Sequence, residues 1–228
     1  MANILKFNPL THTYTVDGVV DPGPNDVLNC VGVRSKCSEC HGEGTIDSVS
    51  CSDCKGTGYT SYNSLAGGEF ARDKTASRFG NEFHKIAKYT LQCKNFTYDK
   101  TFEPWVRGLN KFLIKFGITP ISIEEPLFHP IYKYCGTPDL FGYYYTKNPH
   151  DKIYVVVDWK TSVAAMKHWK IVMAAYAELI KFNLQIKKKI HRLSVMIMPE
   201  TYKVIEHKDA GDFNEFLSIL NVYKRYRK

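Results

Sequence analysis

Asp158 and Lys160 stand two residues apart at the end of a β-prone run, Tyr154-Val155-Val156-Val157-Asp158-Trp159-Lys160-Thr161. Side chains two apart on a strand point to one face, with roughly 7 Å between their Cα atoms. The run before them is apolar enough to be buried on both faces, and a charge brought there has to be paired or bound to a metal. Upstream, Gly136-Thr137-Pro138-Asp139 reads as a turn feeding a second β-prone run over 140–145. If the two runs pair antiparallel through residues 147–151, the Asp139 and Asp158 carboxylates converge. Close carboxylates repel and stay ionised only around a cation. An all-oxygen site that leaves room for water and phosphate oxygens suits Mg²⁺, or Mn²⁺ in its place. Lys160 can orient the attacking water, help deprotonate it, or offset charge on a pentavalent phosphate. The chemistry these residues could do is metal-assisted phosphodiester hydrolysis. The plainer alternative is a strand that ends in two solvated charges.

A second group of residues carries metal chemistry of another kind. Cys37-Ser38-Glu39-Cys40-His41-Gly42-Glu43-Gly44 and Cys51-Ser52-Asp53-Cys54-Lys55-Gly56-Thr57-Gly58 repeat one pattern, C-x-x-C-x-G-x-G. Two thiolates at that spacing reach one ion, and two such knuckles complete a tetrahedral four-thiolate zinc site. The glycines allow the positive φ needed where the backbone folds round the metal. Residues 36–60 are otherwise small and polar, so zinc would supply the folding energy that a core cannot. The odd total of 7 cysteines and the close pairing of four of them argue against a secreted disulfide framework.

The elements that must position Asp139, Asp158 and Lys160 follow from periodicity. His12 to Val20 forms two short β-prone runs about Asp17-Gly18, a hairpin turn. Phe79, Phe83, Ile86, Ala87 and Thr90 make one helical stripe within 64–93, with His84 at its edge, either a half-buried packing residue or a functional one. A second amphipathic stretch over 104–116 ends at Gly117. Strands are expected over 119–129, 140–145 and 152–159, and a helix over 164–182 that carries Tyr176. A hairpin over 191–207 turns at Pro199-Glu200, and a last helix runs from about Asp212 to Tyr226. That order predicts an α/β domain with a mixed central sheet flanked by helices, a single domain over 1–228 with the zinc segment inserted.

Composition bounds the partners. The 228 residues carry a formal net charge of +8 and a sequence pI of about 9.0, which favours a polyanion, nucleic acid first. Part of the excess is clustered at Lys187, Lys188 and Lys189 and at Lys224, Arg225, Arg227 and Lys228, segments that would track a phosphate backbone. No apolar run is long enough to span a bilayer, and residues 1–7 lack a signal-peptide core. A cytoplasmic protein is expected, in the host cytoplasm if a phage encodes it.

Gly80-x-x-x-His84, Gly136-Thr137-Pro138-Asp139, Asp158-Trp159-Lys160-Thr161 and Ala174-Ala175-Tyr176-Ala177-Glu178, in that order, resemble the ordered motifs of PD-(D/E)XK nucleases, restriction-endonuclease-like in fold. The likeness is greatest to the RecB-like and phage exonuclease branch, whose N-terminal hairpin His12-Thr13-Tyr14-Thr15-Val16-Asp17-Gly18 also resembles. It implies Asp139 and Asp158 as metal ligands, Lys160 as the catalytic lysine, and His84 as a further ligand or phosphate contact. Glu124, in the E-x-P that it forms with Pro126, fits the upstream acid of the family better than Glu125. Tyr176 matches a family position, but Val172 stands where the branch carries glutamine. The cysteine repeats resemble those of DnaJ-type co-chaperones, with two copies where that family has four. The resemblance implies an Mg²⁺-dependent DNA nuclease, most simply an exonuclease of recombination or DNA processing. A structure-specific or nicking endonuclease, an inactive nucleic-acid-binding relative, a homo-oligomer and a recombination partner protein all stay open.

Overall fold

The structure is a computed structural model, and it describes residues 4–8, 13–29, 32–36, 45–46, 49–50, 59–64, 74–148, 150–162 and 164–226. Three strands open the chain, β1 (Leu5–Asn8), β2 (Thr13–Val16) and β3 (Val19–Asp21), paired antiparallel in that order. Asp17 and Gly18 both take positive φ between β2 and β3, as a two-residue hairpin turn requires. Helix α1 (Pro24–Asn29) follows, an element that the expected order does not include. Pro24 starts it, since its missing N–H costs nothing in a first turn, and Asp26 Oδ2 accepts from Gly23 N at 3.0 Å. Strand β4 (Gly32–Lys36) pairs with β7 (Tyr59–Ser64), and β5 (Thr45–Ile46) with β6 (Val49–Ser50). Cys37, Cys40, Cys51 and Cys54 lie outside the described residues.

Helices α2 (Lys74–Leu91) and α3 (Glu103–Phe116) come next. Gly117 ends α3 in the left-handed conformation, its N–H returning to Leu113 O, as the sequence predicts. The central sheet then forms from β8 (Thr119–Ile123), β11 (Leu140–Tyr145), β12 (Lys152–Lys160), β13 (Ile190–Met198) and β14 (Thr201–His207), in the order β14-β13-β12-β11-β8. All its pairings are antiparallel except β12 with β13, and that parallel step needs the crossover that α4 (Trp169–Leu184) provides. The expected strand over 119–129 is broken. Glu124 takes a positive φ of 48°, uncommon for a residue with a Cβ. The chain there leaves the sheet for a separate ladder of β9 (Leu127–His129) with β10 (Tyr134–Gly136). Helix α5 (Asp212–Tyr226) completes the chain.

The sheet is packed on both faces, which is why β12 carries an unbroken apolar run from Ile153 to Val157. Val155, Val157 and Trp159 turn to one side, against Phe83 and Ile86 of α2 and Leu109 and Phe112 of α3. Val156 turns to the other, where Val27 and Leu28 of α1, Met173 and Leu179 of α4, and Phe216 of α5 close over it. The result is an α/β protein with a mixed five-stranded sheet between helices. None of the described helices is long and apolar enough to cross a membrane.

Candidate metal centre

The β11–β12 hairpin brings Asp139 and Asp158 together. Leu140 lies opposite Val157, so Asp139 enters β11 beside Asp158 leaving β12. Both are buried, Asp139 to 8% and Asp158 to 5% exposure. Asp139 Oδ2 accepts from the Trp159 backbone N–H at 2.7 Å, which fixes one carboxylate against the strand that carries the other. Asp139 Oδ1 faces Nδ1 of His84, from α2, at 3.1 Å. Glu124 N donates to the Asp139 carbonyl at 3.1 Å, so the strained turn after β8 delivers a third acid to the same corner. Ligand atoms of His84, Glu124 and Asp139 all lie within 4.8 Å of one another.

Each acid has a basic neighbour. Lys88, one turn beyond His84 on α2, meets Glu124 Oε2 at 3.0 Å; His84 meets Asp139 at 3.1 Å; Lys160 Nζ stands 2.6 Å from Asp158 Oδ2. Burial pushes the Asp158 carboxyl above the usual range, with Lys160 opposing and Asp139 adding. Burial works against the Lys160 ammonium, but Asp158 and then Asp139 outweigh it and hold it above its ordinary value. Burial likewise works against the His84 imidazolium, and Asp139 outweighs it. Lys160 Nζ also lies 5.5 Å from the Trp169 ring centroid, at the start of α4.

The donor set fits a divalent cation. Asp158 Oδ2 is buried and, although it touches the Lys160 ammonium, accepts no hydrogen bond of proper geometry. Carboxylate oxygens suit hard cations such as Mg²⁺ and Mn²⁺, and an imidazole among them favours a transition metal. Asp158 adjoins the triad of His84, Glu124 and Asp139 without belonging to it.

Tyr176 is buried beside this corner. Its hydroxyl is pushed well above the ordinary tyrosine range by burial first, and then by Asp158, Tyr14 and Asp139. A Cβ on Gly136 would lie 2.9 Å from Cε1 of the Tyr176 ring and 2.7 Å from Leu179 Cδ1, so only glycine lets α4 sit this close to β10. Val172 is a core residue at 3% exposure.

The basic clusters fall elsewhere. Lys187, Lys188 and Lys189 lead into β13, whose Ile190 lies beside Tyr154 and whose Met196 lies beside Lys160. That interval is roughly 20 Å along the strand, so these lysines stand at the opposite end of the sheet from Asp158. Lys224 donates to the Tyr132 carbonyl, and burial lowers its affinity for a proton, with Asp21 opposing. Arg225 is exposed on the last turn of α5.

Sequence reading missed Lys88, Tyr14 and Thr137. Lys88 was in reach, because it lies four residues beyond His84, where helical side chains share a face. Tyr14 is buried on β2, and its hydroxyl meets Thr137 Oγ1 at 2.8 Å. Cys135 N donates to Pro22 O at 2.9 Å, so the N-terminal sheet grips the loop that carries Asp139 at two points.

His168, just before α4, gives the centre a pH-sensitive neighbour. Burial, with Lys160 adding, pushes its pKa down to about 4. The unfolded chain takes up that proton near pH 6.5, so the native state loses stability as pH falls from about 6.5 towards 4. In metal-free buffer His168→Gln should match the wild type at pH 7.5. At pH 5 it should be the more stable by about 1 kcal/mol, a value reduced for the ring's partial exposure. Urea midpoints at the two pH values measure this. An unchanged difference between the proteins would show that His168 titrates normally.

No family model matches the chain, and no curated protein matches it. Among solved structures 13 chains match, including the crystal structure of a candidate exonuclease from Eubacterium rectale, with a TM-score of 0.41 and 14% identity over 66% of this chain and 65% of that one.

Proposed function

We propose that the chain is a divalent-metal-dependent nuclease that hydrolyses phosphodiester bonds in DNA, working from strand ends. The observation that carries it is the meeting of His84, Glu124 and Asp139 in one cluster, with the buried Asp158 on the adjoining strand end and Lys160 beside it. The motif order in the sequence and the net charge of +8 support the same reading.

Asp139, Asp158, Glu124 and His84 would hold the ion, which when bound supplies positive charge beside the phosphate and acidifies water. Lys160, a quarter exposed at its side chain, can donate to a non-bridging phosphate oxygen while Asp158 fixes its ammonium. Trp159 N–H holds Asp139 in register with Asp158. Lys88 beside Glu124 and Lys160 beside Asp158 offset part of the mutual repulsion of these acids in the free protein. Burial favours the protonated Tyr176 hydroxyl, which can donate a hydrogen bond into the corner.

The test is cleavage of linear duplex, single-stranded and covalently closed circular DNA with Mg²⁺ or Mn²⁺, together with the thermal shift that the metal alone produces. A ligand at about 100 times its Kd stabilises by about 2.7 kcal/mol, and Asp139→Asn should abolish both the shift and the cleavage. Linear substrates should be degraded and the closed circle left intact. Cutting of the circle would make the enzyme an endonuclease. No metal-dependent cleavage of any substrate would end the proposal.

A further inference from the structure

The end of the sheet away from Asp158 carries a second surface that the metal centre does not use. There β11 runs out at Tyr143, Tyr144 and Tyr145, β12 begins at Lys152, and β13 begins just after Lys187, Lys188 and Lys189. Tyr143 lies opposite Tyr154, and Tyr145 opposite Lys152, so these four side chains share one face of the ladder. Lys152 Nζ sits 3.6 Å from the centroid of the Tyr143 ring and 5.7 Å from that of Tyr154. The Tyr143 and Tyr145 rings meet edge to face at 5.4 Å, and Tyr145 is 52% exposed.

The charge around these rings is one-sided. Lys147, Lys187, Lys188 and Lys189 are exposed. Neither they nor Lys152 pair with an acid among the described residues. Asp151, the acid of the connecting turn, lies 3.3 Å from the Thr146 hydroxyl. An ammonium placed on ring faces rather than on a carboxylate, with four more lysines near by, suits a ligand that is anionic and has flat faces of its own.

We propose that this surface is a second nucleic-acid contact that takes a single-stranded segment of the substrate. Unpaired bases stack on tyrosine faces while their phosphates meet the lysines. A duplex hides its base faces in its own stack and would use the lysines alone. From Lys152 to Lys160 is eight residue steps, roughly 26 Å of strand, or about eight stacked nucleotides. The inference rests on the nuclease proposal and adds to it a requirement for substrate length, because a strand shorter than that cannot reach both places.

The experiment uses Asp158→Asn protein with Mg²⁺ and fluorescein-labelled single-stranded DNA of about 5 and about 20 nucleotides, on either side of that span. Anisotropy gives the affinities. Tyr145→Ala should weaken binding of the longer strand about tenfold, and Tyr145→Phe, which keeps the ring face, should not. The triple change Lys187→Glu, Lys188→Glu, Lys189→Glu should weaken it at least as much and reduce its salt dependence. Neither change should alter binding of the shorter strand. If all variants bind the longer strand as the parent does, the inference is overturned, and wild-type Mg²⁺-dependent cleavage would still stand by itself. If the triple change weakens duplex and single strand alike while Tyr145→Ala does nothing, the surface contacts phosphate only and the single-strand assignment is overturned. If the wild type neither binds nor cleaves nucleic acid, both proposals fall together.

Discussion

Lys160→Ala should lower the single-turnover rate of Mg²⁺-dependent DNA cleavage by about 10²–10³-fold, the effect of removing one donor aimed at developing charge, and leave DNA binding within a few-fold. Two effects of the change have to be separated. Lys160 is the cation nearest the buried Asp158 carboxylate, and removing one member of a buried pair can cost about 3–5 kcal/mol of stability. The cost here should be smaller. Asp158 already holds its proton more tightly than a free carboxylate, and the Lys160 side chain is 25% exposed, so solvent screens part of the attraction. The double variant Asp158→Asn, Lys160→Ala settles the matter, since it removes the stranded charge. It should recover much of the stability that Lys160→Ala loses and recover none of the activity. If Lys160→Ala folds normally and cleaves within tenfold of the wild type, Lys160 has no part in the chemistry.

The largest loss of stability should come from a position far from any chemistry. Gly108 lies in the middle of α3, where alanine ordinarily stabilises a helix by about 1 kcal/mol. A Cβ there would stand 2.5 Å from the carbonyl oxygens of both Met198 and Thr201, at the turn from β13 to β14. These are backbone atoms held by a ladder. The helix is also tied to that turn by Glu200 N to Pro104 O at 2.8 Å and by Lys111 Nζ to Glu200 O at 2.7 Å. Neither side can move cheaply, so overpacking outweighs propensity. Gly108→Ala should lose about 2–3 kcal/mol net, read as a lower urea midpoint with an unchanged slope. A variant as stable as the wild type would mean that α3 sits farther from the turn.

The pairing of Asp139 with Asp158 was legible in the sequence because both ingredients are local. Two β-prone runs separated by a short polar segment pair as a hairpin, and the alternation of side chains then decides which residues face each other. The same holds for Gly117 at the end of α3 and for Asp17-Gly18. Glu124 was legible as a residue and illegible as a structure. The run over 119–129 looks continuous, and only its partners, β11 on one side of the break and β10 on the other, divide it. The placing of Lys187, Lys188 and Lys189 was beyond local reading for a related reason. Which end of the sheet they occupy depends on β13 running parallel to β12, and that follows from the length of the α4 crossover rather than from the lysines. Helix α1 was not legible, because Asp21-Pro22-Gly23-Pro24 is made of turn residues and the core segment behind it, Val27 and Leu28, is too short to show a period.

The grip of Tyr14 on Thr137 has a practical consequence for anyone handling the protein. The strand that carries Tyr14 is far from Asp139 in sequence, yet its hydroxyl reaches the loop of Asp139. Trimming those opening residues as a dispensable leader would expose Cys135 and Phe128, which Tyr14 and Val16 help to cover. It would also leave one wall of the metal corner without support. A preparation shortened in that way would report on a loosened site.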